Sequence, residues 1–423
     1  MTLKKNLINT LWLAIDKCIT LLGGVIVTVY VARYLGPEKM GLYNLSIAIA
    51  SFLVPISQFG GENLIYTRGS RLSKNGLALL LNTELFRNLV YIVLSIIVLL
   101  IYYNVSNERI NLFVLFSILI AYGFFSGDLY RVYFDVIARS KVNSITSQIG
   151  LYSSILIRVF LVNIGASMLW FGIPYIVMYA IPYFIKRKLI KRIPIKGKKI
   201  SAYNQFLLKN GLPLAISGLS VVIYTRISQV IIASKLDVTS VAIYNAALVI
   251  AQSWAFVPTA VLISFLSVSL RAKRENVEAL SFIFQTMLVS SIPFLFIFFE
   301  YSEELILYSY GTDYSEASNY IFLLSISTLF SVLGTLFYRV LVFKGAVKYL
   351  MWKMILTSFF NVFLSSYLVG LYGVYGAVYA ILITEALSFT VFNYFYSRFY
   401  TLKLQLKLLS VFSSIRFLKK NYS

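Results

Sequence analysis

The sequence has no histidine and a single cysteine, Cys18. The first absence removes imidazole metal sites, His-based triads and imidazole proton relays. The second removes any intrachain disulfide. Charge is also scarce: 13% of the 423 residues are Asp, Glu, Lys or Arg, about half the share found in soluble proteins. Acids are the scarcest, 16 against 38 basic residues. Nothing resembles G-x-x-x-x-G-K-[ST], so nucleotide-driven pumping by this chain alone is not expected. No loop is long enough to hold a soluble catalytic domain, and we expect neither an enzyme nor a cofactor. What fills the sequence is apolar: 59% hydrophobic residues and a mean hydropathy of +0.80. So few charges cannot solvate a compact soluble body, and the composition predicts an all-α polytopic membrane protein.

A hydrocarbon core about 30 Å thick needs about 20 helical residues to cross it. Hydropathy gives twelve candidate transmembrane helices: 11–32, 42–64, 80–102, 110–132, 144–166, 168–185, 211–233, 243–266, 279–299, 319–341, 353–370 and 373–396. The first contains Asp16 and Lys17 and lacks a following small-residue cleavage site, so it reads as a retained helix. With the N-terminus in the cytoplasm, inside segments hold 27 Lys and Arg and outside loops hold four, Arg33, Lys39, Arg109 and Lys235. That asymmetry sets the orientation, with both termini cytoplasmic. Most of the net charge of +22 is then topology plus attraction to anionic lipids, with no need for nucleic acid.

The longest basic stretch, Lys186–Lys199, divides the helices six and six. The sequence thus predicts an N-terminal lobe (1–185), a basic linker (186–205), a C-terminal lobe (206–398) and a basic tail (399–423). An internal echo supports two lobes. VARYLGPEKMGLYNLSIAIA (31–50) aligns without gaps on IASKLDVTSVAIYNAALVIA (232–251), sharing Ala32/Ala233, Leu35/Leu236, Tyr43/Tyr244, Asn44/Asn245 and Ala50/Ala251. A second echo is Tyr130-Arg131-Val132 against Tyr338-Arg339-Val340. Six helices per repeat keeps both halves in one orientation, a parallel repeat of the kind that supports rocking, alternating-access transport.

Ionisable groups within spans are costly and mark cavities or partners. Arg158 lies about eight residues, roughly 12 Å, from the outer end of helix 5. Ser154, Gly150, Ser147 and Asn143 lead to it along one helical face. It either lines a cavity or snorkels outward along a small-residue packing face. Arg226 in helix 7, with Gln229 a turn later, carries the same pair of readings. Asp16 shares a polar face with Asn9, Thr20 and Gly23. It is a candidate for ion coupling or for a salt bridge, and Glu62, after Gly60-Gly61, is a second coupling candidate. Asp128, Arg131, Asp135 and Arg339 cluster near inner helix ends as a candidate charge network. Glu84 and Arg87, one turn apart, are placed to pair with each other. Glu385 sits inside helix 12. No spacing says which of the 32 Tyr and 33 Phe face a cavity.

The end of helix 1 and its turn, Val-Ala-Arg-Tyr-Leu-Gly-Pro-Glu-Lys-Met-Gly-Leu-Tyr-Asn (31–44), resembles the start of Wzx-type polysaccharide flippases. These belong to the multidrug/oligosaccharidyl-lipid/polysaccharide exporter superfamily. Arg33, Leu35, Gly36, Gly41 and Tyr43 fit its R-x-L-G-x-x-x-x-G-x-Y pattern. The resemblance implies transfer of an undecaprenyl-diphosphate-linked repeat unit, for O-antigen (lipopolysaccharide) or capsule, to the outer leaflet of a bacterial inner membrane. It further implies H+ or Na+ coupling and a glycan polymerase and chain-length regulator as partners. Arg158 and Arg226 would then hold the diphosphate. The alternatives are a drug or metabolite exporter on the same fold and a membrane scaffold for glycan-assembly enzymes.

Overall fold

The computed structural model describes residues 3–105, 109–191, 200–270, 277–397 and 399–408. Side chains are described except at 3–22, 105, 109–110, 191, 200–201, 264 and 266–270. The described residues form helices and short 3-10 turns, with no strand among them. In chain order these are α1 (Leu3–Gln58), α2 (Gly61–Arg71), α3 (Ser73–Val105), α4 (Arg109–Gly127), α5 (Tyr130–Val136) and α6 (Ser140–Asn163). There follow α7 (Gly172–Lys191), α8 (Ile200–Lys235), α9 (Val238–Gln252), α10 (Phe256–Leu270), α11 (Val277–Glu300) and α12 (Ser302–Ser309). The described residues end with α13 (Ser318–Phe343), α14 (Val347–Tyr372), α15 (Val374–Phe389), α16 (Val391–Tyr394) and α17 (Tyr400–Leu408).

Among the described residues, eleven helical stretches are long and apolar enough to cross a membrane. The first, Gly23–Gln58, comprises two helices meeting at a kink. Gly36 breaks α1 with φ +76° and ψ 167°. A residue before proline avoids the helical region, and Pro37 then starts the next helix without a missing donor. The expected helices 1 and 2 therefore lie on either side of Gly36, and the other ten expected spans match the other ten stretches. The outer face of α3 carries Leu85, Leu89, Ile92, Ile96 and Leu100, all more than half exposed. A stripe that apolar belongs in lipid. The chain is a multi-pass membrane protein.

Backbone contacts group the chain into two compact units. An N-terminal unit holds Tyr30–Ala233 and Asp237–Ala242; a C-terminal unit holds Met1–Val29, Ser234–Leu236 and Ile243–Ser423. The expected division at 186–205 follows sequence, whereas this grouping puts α8 in the N-terminal unit and residues 1–29 in the other. Of the expected linker and tail, 192–199 and 409–423 lie outside the described residues.

In the N-terminal unit, Phe59 and Gly60 take left-handed backbone conformations that end α1. The same corner is a close crossing with α8. A Cβ on Gly60 would lie 2.3 Å from the Leu214 Cβ, and one on Gly211 1.9 Å from the Phe59 carbonyl oxygen. Below it, Ile65, Leu79, Leu80, Leu129, Tyr130 and Ile190 form a buried core joining α2, α3, α5 and α7. The C-terminal unit packs around Leu280, Ile283, Met287, Leu336 and Phe337, closed by Leu404 and Leu408 of α17. Ser281 and Gln285 donate to the Leu408 carbonyl and fasten that helix.

The first internal echo is also a likeness of local structure. Tyr43 and Tyr244 are both buried, as are Ala50 and Ala251, and both windows run helix, turn, helix. The second echo is not. Tyr130 is buried at the start of the short α5, whereas Tyr338 is exposed within the continuous α13.

Candidate functional site

Small residues on α6 create the site by letting α7 come close. The buried face of α6 is Thr146, Gly150, Ser154, Arg158 and Leu161. A Cβ on Gly150 would stand 2.6 Å from the Met178 carbonyl oxygen and 2.9 Å from Pro182. The helices therefore touch there, and Arg158, two turns on, is carried onto the face of α7. Its guanidinium carbon sits 4.5 Å from the centre of the Tyr175 ring. Arg158 is 7% exposed. The expected stripe holds at Gly150 and Ser154. Ser147 is instead exposed, and Thr146 takes the inward position.

Tyrosines surround this arginine. Tyr43 stacks on Tyr175 at 6.0 Å, and its hydroxyl donates to the Met168 carbonyl at 2.7 Å. Tyr179, one turn after Tyr175, meets Tyr122 edge-on at 5.7 Å and Phe125 at 5.1 Å. Arg226 of α8 is half-buried and within electrostatic range of Tyr122 and Tyr179; Arg158 is in range of Tyr43 and Tyr179. The two arginines, expected in opposite lobes, thus share a tyrosine set inside one unit. Neither forms an ion pair among the described residues. The Ser154 hydroxyl, one turn before Arg158, is buried without a hydrogen-bond partner. Two uncompensated cations with phenolic hydroxyls beside them suit an oxygen-rich anion.

The remaining candidates have other surroundings. Glu62 accepts a charge-assisted hydrogen bond from Arg131 at 2.9 Å, with both side chains substantially exposed. Asp135 accepts from Ser140 (2.7 Å) and Asn143 (2.9 Å), and the same Asn143 amide donates to the Arg131 carbonyl at 2.8 Å. Asp128 pairs with Lys186, both buried. Arg339 lies in the C-terminal unit, exposed, with no ion pair among the described residues. The Asp16 side chain lies outside the described residues.

The expected local pair of Glu84 with Arg87 is corrected. Glu84 takes Arg187 at 2.9 Å and the Tyr183 hydroxyl at 3.1 Å. Arg87 turns back to the carbonyls of Thr83 and Leu80. Helix α7 brings Arg187 to Glu84, and a buried carboxylate gains more from a second helix than from its own turn. In the C-terminal unit, Glu385 is within electrostatic range of Lys353, which donates to Asn393 at 2.8 Å.

Sequence reasoning missed Tyr43, Tyr122, Tyr175 and Tyr179. A signal existed: Tyr175, Tyr179 and Tyr183 recur every four residues, one face of a helix.

Comparison with known proteins agrees with the fold and adds a family. Residues 7–270 match the family described as polysaccharide biosynthesis protein. No curated protein is significantly similar in sequence. Among solved structures, the lipid II flippase MurJ in an inward closed conformation is similar, with TM-score 0.74 and 17% identity, over 98% of this chain and 93% of that one. A multidrug resistance MATE family transporter of the MOP superfamily, inward-facing, gives TM-score 0.68 at 13% identity, over 96% of each chain. A MOP superfamily transporter from Pyrococcus furiosus, described as having a binding pocket of reversed polarity, gives 0.59 at 13% identity, over 93% of this chain and 95% of that one. At these identities the likeness is one of fold.

Proposed function

We propose that this chain, which belongs to the polysaccharide biosynthesis protein family and has the MOP superfamily fold, is a flippase. Its substrate is an undecaprenyl-diphosphate-linked oligosaccharide, carried from the cytoplasmic to the outer leaflet of the bacterial inner membrane by alternating access. The observation that carries this reading is the pair Arg158 and Arg226, free of ion pairs among the described residues and set against Tyr122, Tyr175 and Tyr179. A diphosphate is at least a dianion. Planar guanidinium groups supply two parallel donors to its oxygens, and the phenols add neutral donors for phosphate or sugar hydroxyls. The lipid tail stays in the bilayer, so only the head group needs a polar path. Repulsion between two cations in an empty site is relieved when the diphosphate arrives, which favours loading before the conformational change.

Coupling to H+ or Na+ belongs to the same proposal, with Asp16 as the first candidate. Glu62 supports it less, because Arg131 already neutralises it at an exposed position. The likeness to a multidrug MATE transporter favours a second reading, a drug exporter. A cationic drug, however, would meet Arg158 and Arg226 unfavourably.

Proteoliposomes made with the purified chain test the function. A polyprenyl-diphosphate glycan is placed in the outer leaflet, and its loss of access to an added, membrane-impermeant pyrophosphatase that hydrolyses the P–O–P bond is followed over time. Protein-dependent protection of the diphosphate is expected, with no protein-dependent uptake of a cationic drug analogue measured separately. Equal transport of the cationic analogue, with no protection of the diphosphate, would select the drug exporter.

A further inference from the structure

A cavity of about 360 Å3 opens where α2 turns into α3. It is lined by Arg68, Arg71, Leu72, Asn75 and Tyr203. All five belong to the N-terminal unit, and none touches the Arg158 set. Leu72 leaves the helical conformation (φ −150°, ψ 110°) and ends α2. Its carbonyl then accepts from the Asn75 and Gly76 amides at 2.9 and 3.4 Å. This corner holds the last turn of α2 against the first turn of α3. Two arginines of the last turn of α2 are therefore held beside the first turn of α3.

The chemistry of the lining is one-sided. Arg68 stacks over the Phe206 ring of α8 at 3.5 Å, which fixes its plane. Arg71 is exposed. Neither arginine forms an ion pair among the described residues, and no carboxylate lines the cavity. Asn75 and Tyr203 add neutral donors. An apolar group sits on the same edge: Leu72, which lines the cavity, is 61% exposed. Cations, neutral donors and an exposed apolar residue together describe a site for the phosphate of a membrane lipid, with its oxygens on the guanidinium forks and its chains beside Leu72.

We propose that the α2–α3 corner binds the phosphate group of an anionic lipid through Arg68 and Arg71. Two lipids carry that group: a phosphatidylglycerol of the bilayer and, on the function proposed above, the diphosphate of the lipid-linked glycan. For the second, the corner is a place of first capture at the face of the membrane where the basic segments gather.

The test uses the full chain in phosphatidylcholine nanodiscs, titrated separately with dioctanoyl phosphatidylglycerol and farnesyl diphosphate, with farnesol as the uncharged control. Variants are Arg71→Ala, the double variant Arg68→Ala/Arg71→Ala, and Arg158→Ala/Arg226→Ala. Each lost charge-assisted hydrogen bond should weaken phosphate-lipid binding about ten- to hundredfold, with farnesol unaffected and the corner's contribution retained in the Arg158→Ala/Arg226→Ala variant. A response confined to phosphatidylglycerol identifies bulk lipid as the source, and one confined to farnesyl diphosphate identifies the substrate lipid. Arg71→Ala decides the matter if the double variant does not fold, since Arg71 is exposed and supports no described ion pair. Unchanged binding of both phosphate lipids in the corner variants would overturn the proposal. Failure of the flippase reading would look different, as absent transport with corner binding intact.

Discussion

Replacing Lys186 by Met should destabilise the N-terminal unit severely. Lys186 and Asp128 form an ion pair in which lysine is 1% and aspartate 8% exposed. One oxygen of Asp128 has no hydrogen-bond partner even with lysine present. Met keeps the length and packing of the lysine stem but leaves a buried carboxylate unneutralised. Breaking a buried pair from one side costs about 3–5 kcal/mol. For a body of about two hundred residues, roughly the size of this unit, each kcal/mol moves Tm by about 2–4 °C. A fall of about 6–20 °C is therefore expected, read by thermal unfolding of the detergent-solubilised chain. The double variant Asp128→Asn/Lys186→Met removes both charges and should recover most of the loss, because an apolar replacement of a buried pair is often neutral. A single variant as stable as the parent would refute the reasoning. So would a double variant no better than Lys186→Met alone.

Other predictions follow from single contacts. Gly211→Ala puts a methyl 1.9 Å from the Phe59 carbonyl oxygen, so the folded yield in membranes should fall, while Gly345→Ala, with open space around it, should fall less and only through its backbone conformation. Glu62→Gln breaks an exposed pair worth about 0–1 kcal/mol, so transport and Tm should stay near the parent's, whereas Asp16→Asn should lower transport at an unchanged folded amount. Lys196→Cys on a Cys18→Ser background should react with an impermeant maleimide only from the cytoplasmic side; labelling from outside would reverse the topology.

The spans were legible because hydropathy reports directly what lipid requires of a helix. The turn between helices 1 and 2 was legible as well, but its narrowing to a single break at Gly36 was not. Long-range partners were not. Glu84 and Arg87 lie one turn apart, yet Glu84 pairs with Arg187, about a hundred residues away, because α7 packs on that face. Glu62 and Arg131 meet only through the packing of α2 on α5. Arg158 was legible as an intramembrane charge, but its tyrosine partners come from two other helices, α1 and α7. Only the i, i+4 spacing of Tyr175 and Tyr179 hinted at a shared face. Thr146 is buried and Ser147 exposed although a period of about 3.6 puts both near the buried arc of α6, so helical spacing alone does not choose between them.

The most direct test of the central claim is transport of the lipid-diphosphate glycan by Arg158→Ala, Arg226→Ala, Arg158→Lys and Arg226→Lys at matched reconstituted amounts. Each alanine variant loses charge-assisted hydrogen bonds of about 1.5–3 kcal/mol, and should transport roughly ten- to hundredfold more slowly under subsaturating substrate. Lysine should restore charge but not the planar fork, and so recover only part. Full activity in both alanine variants would contradict the account.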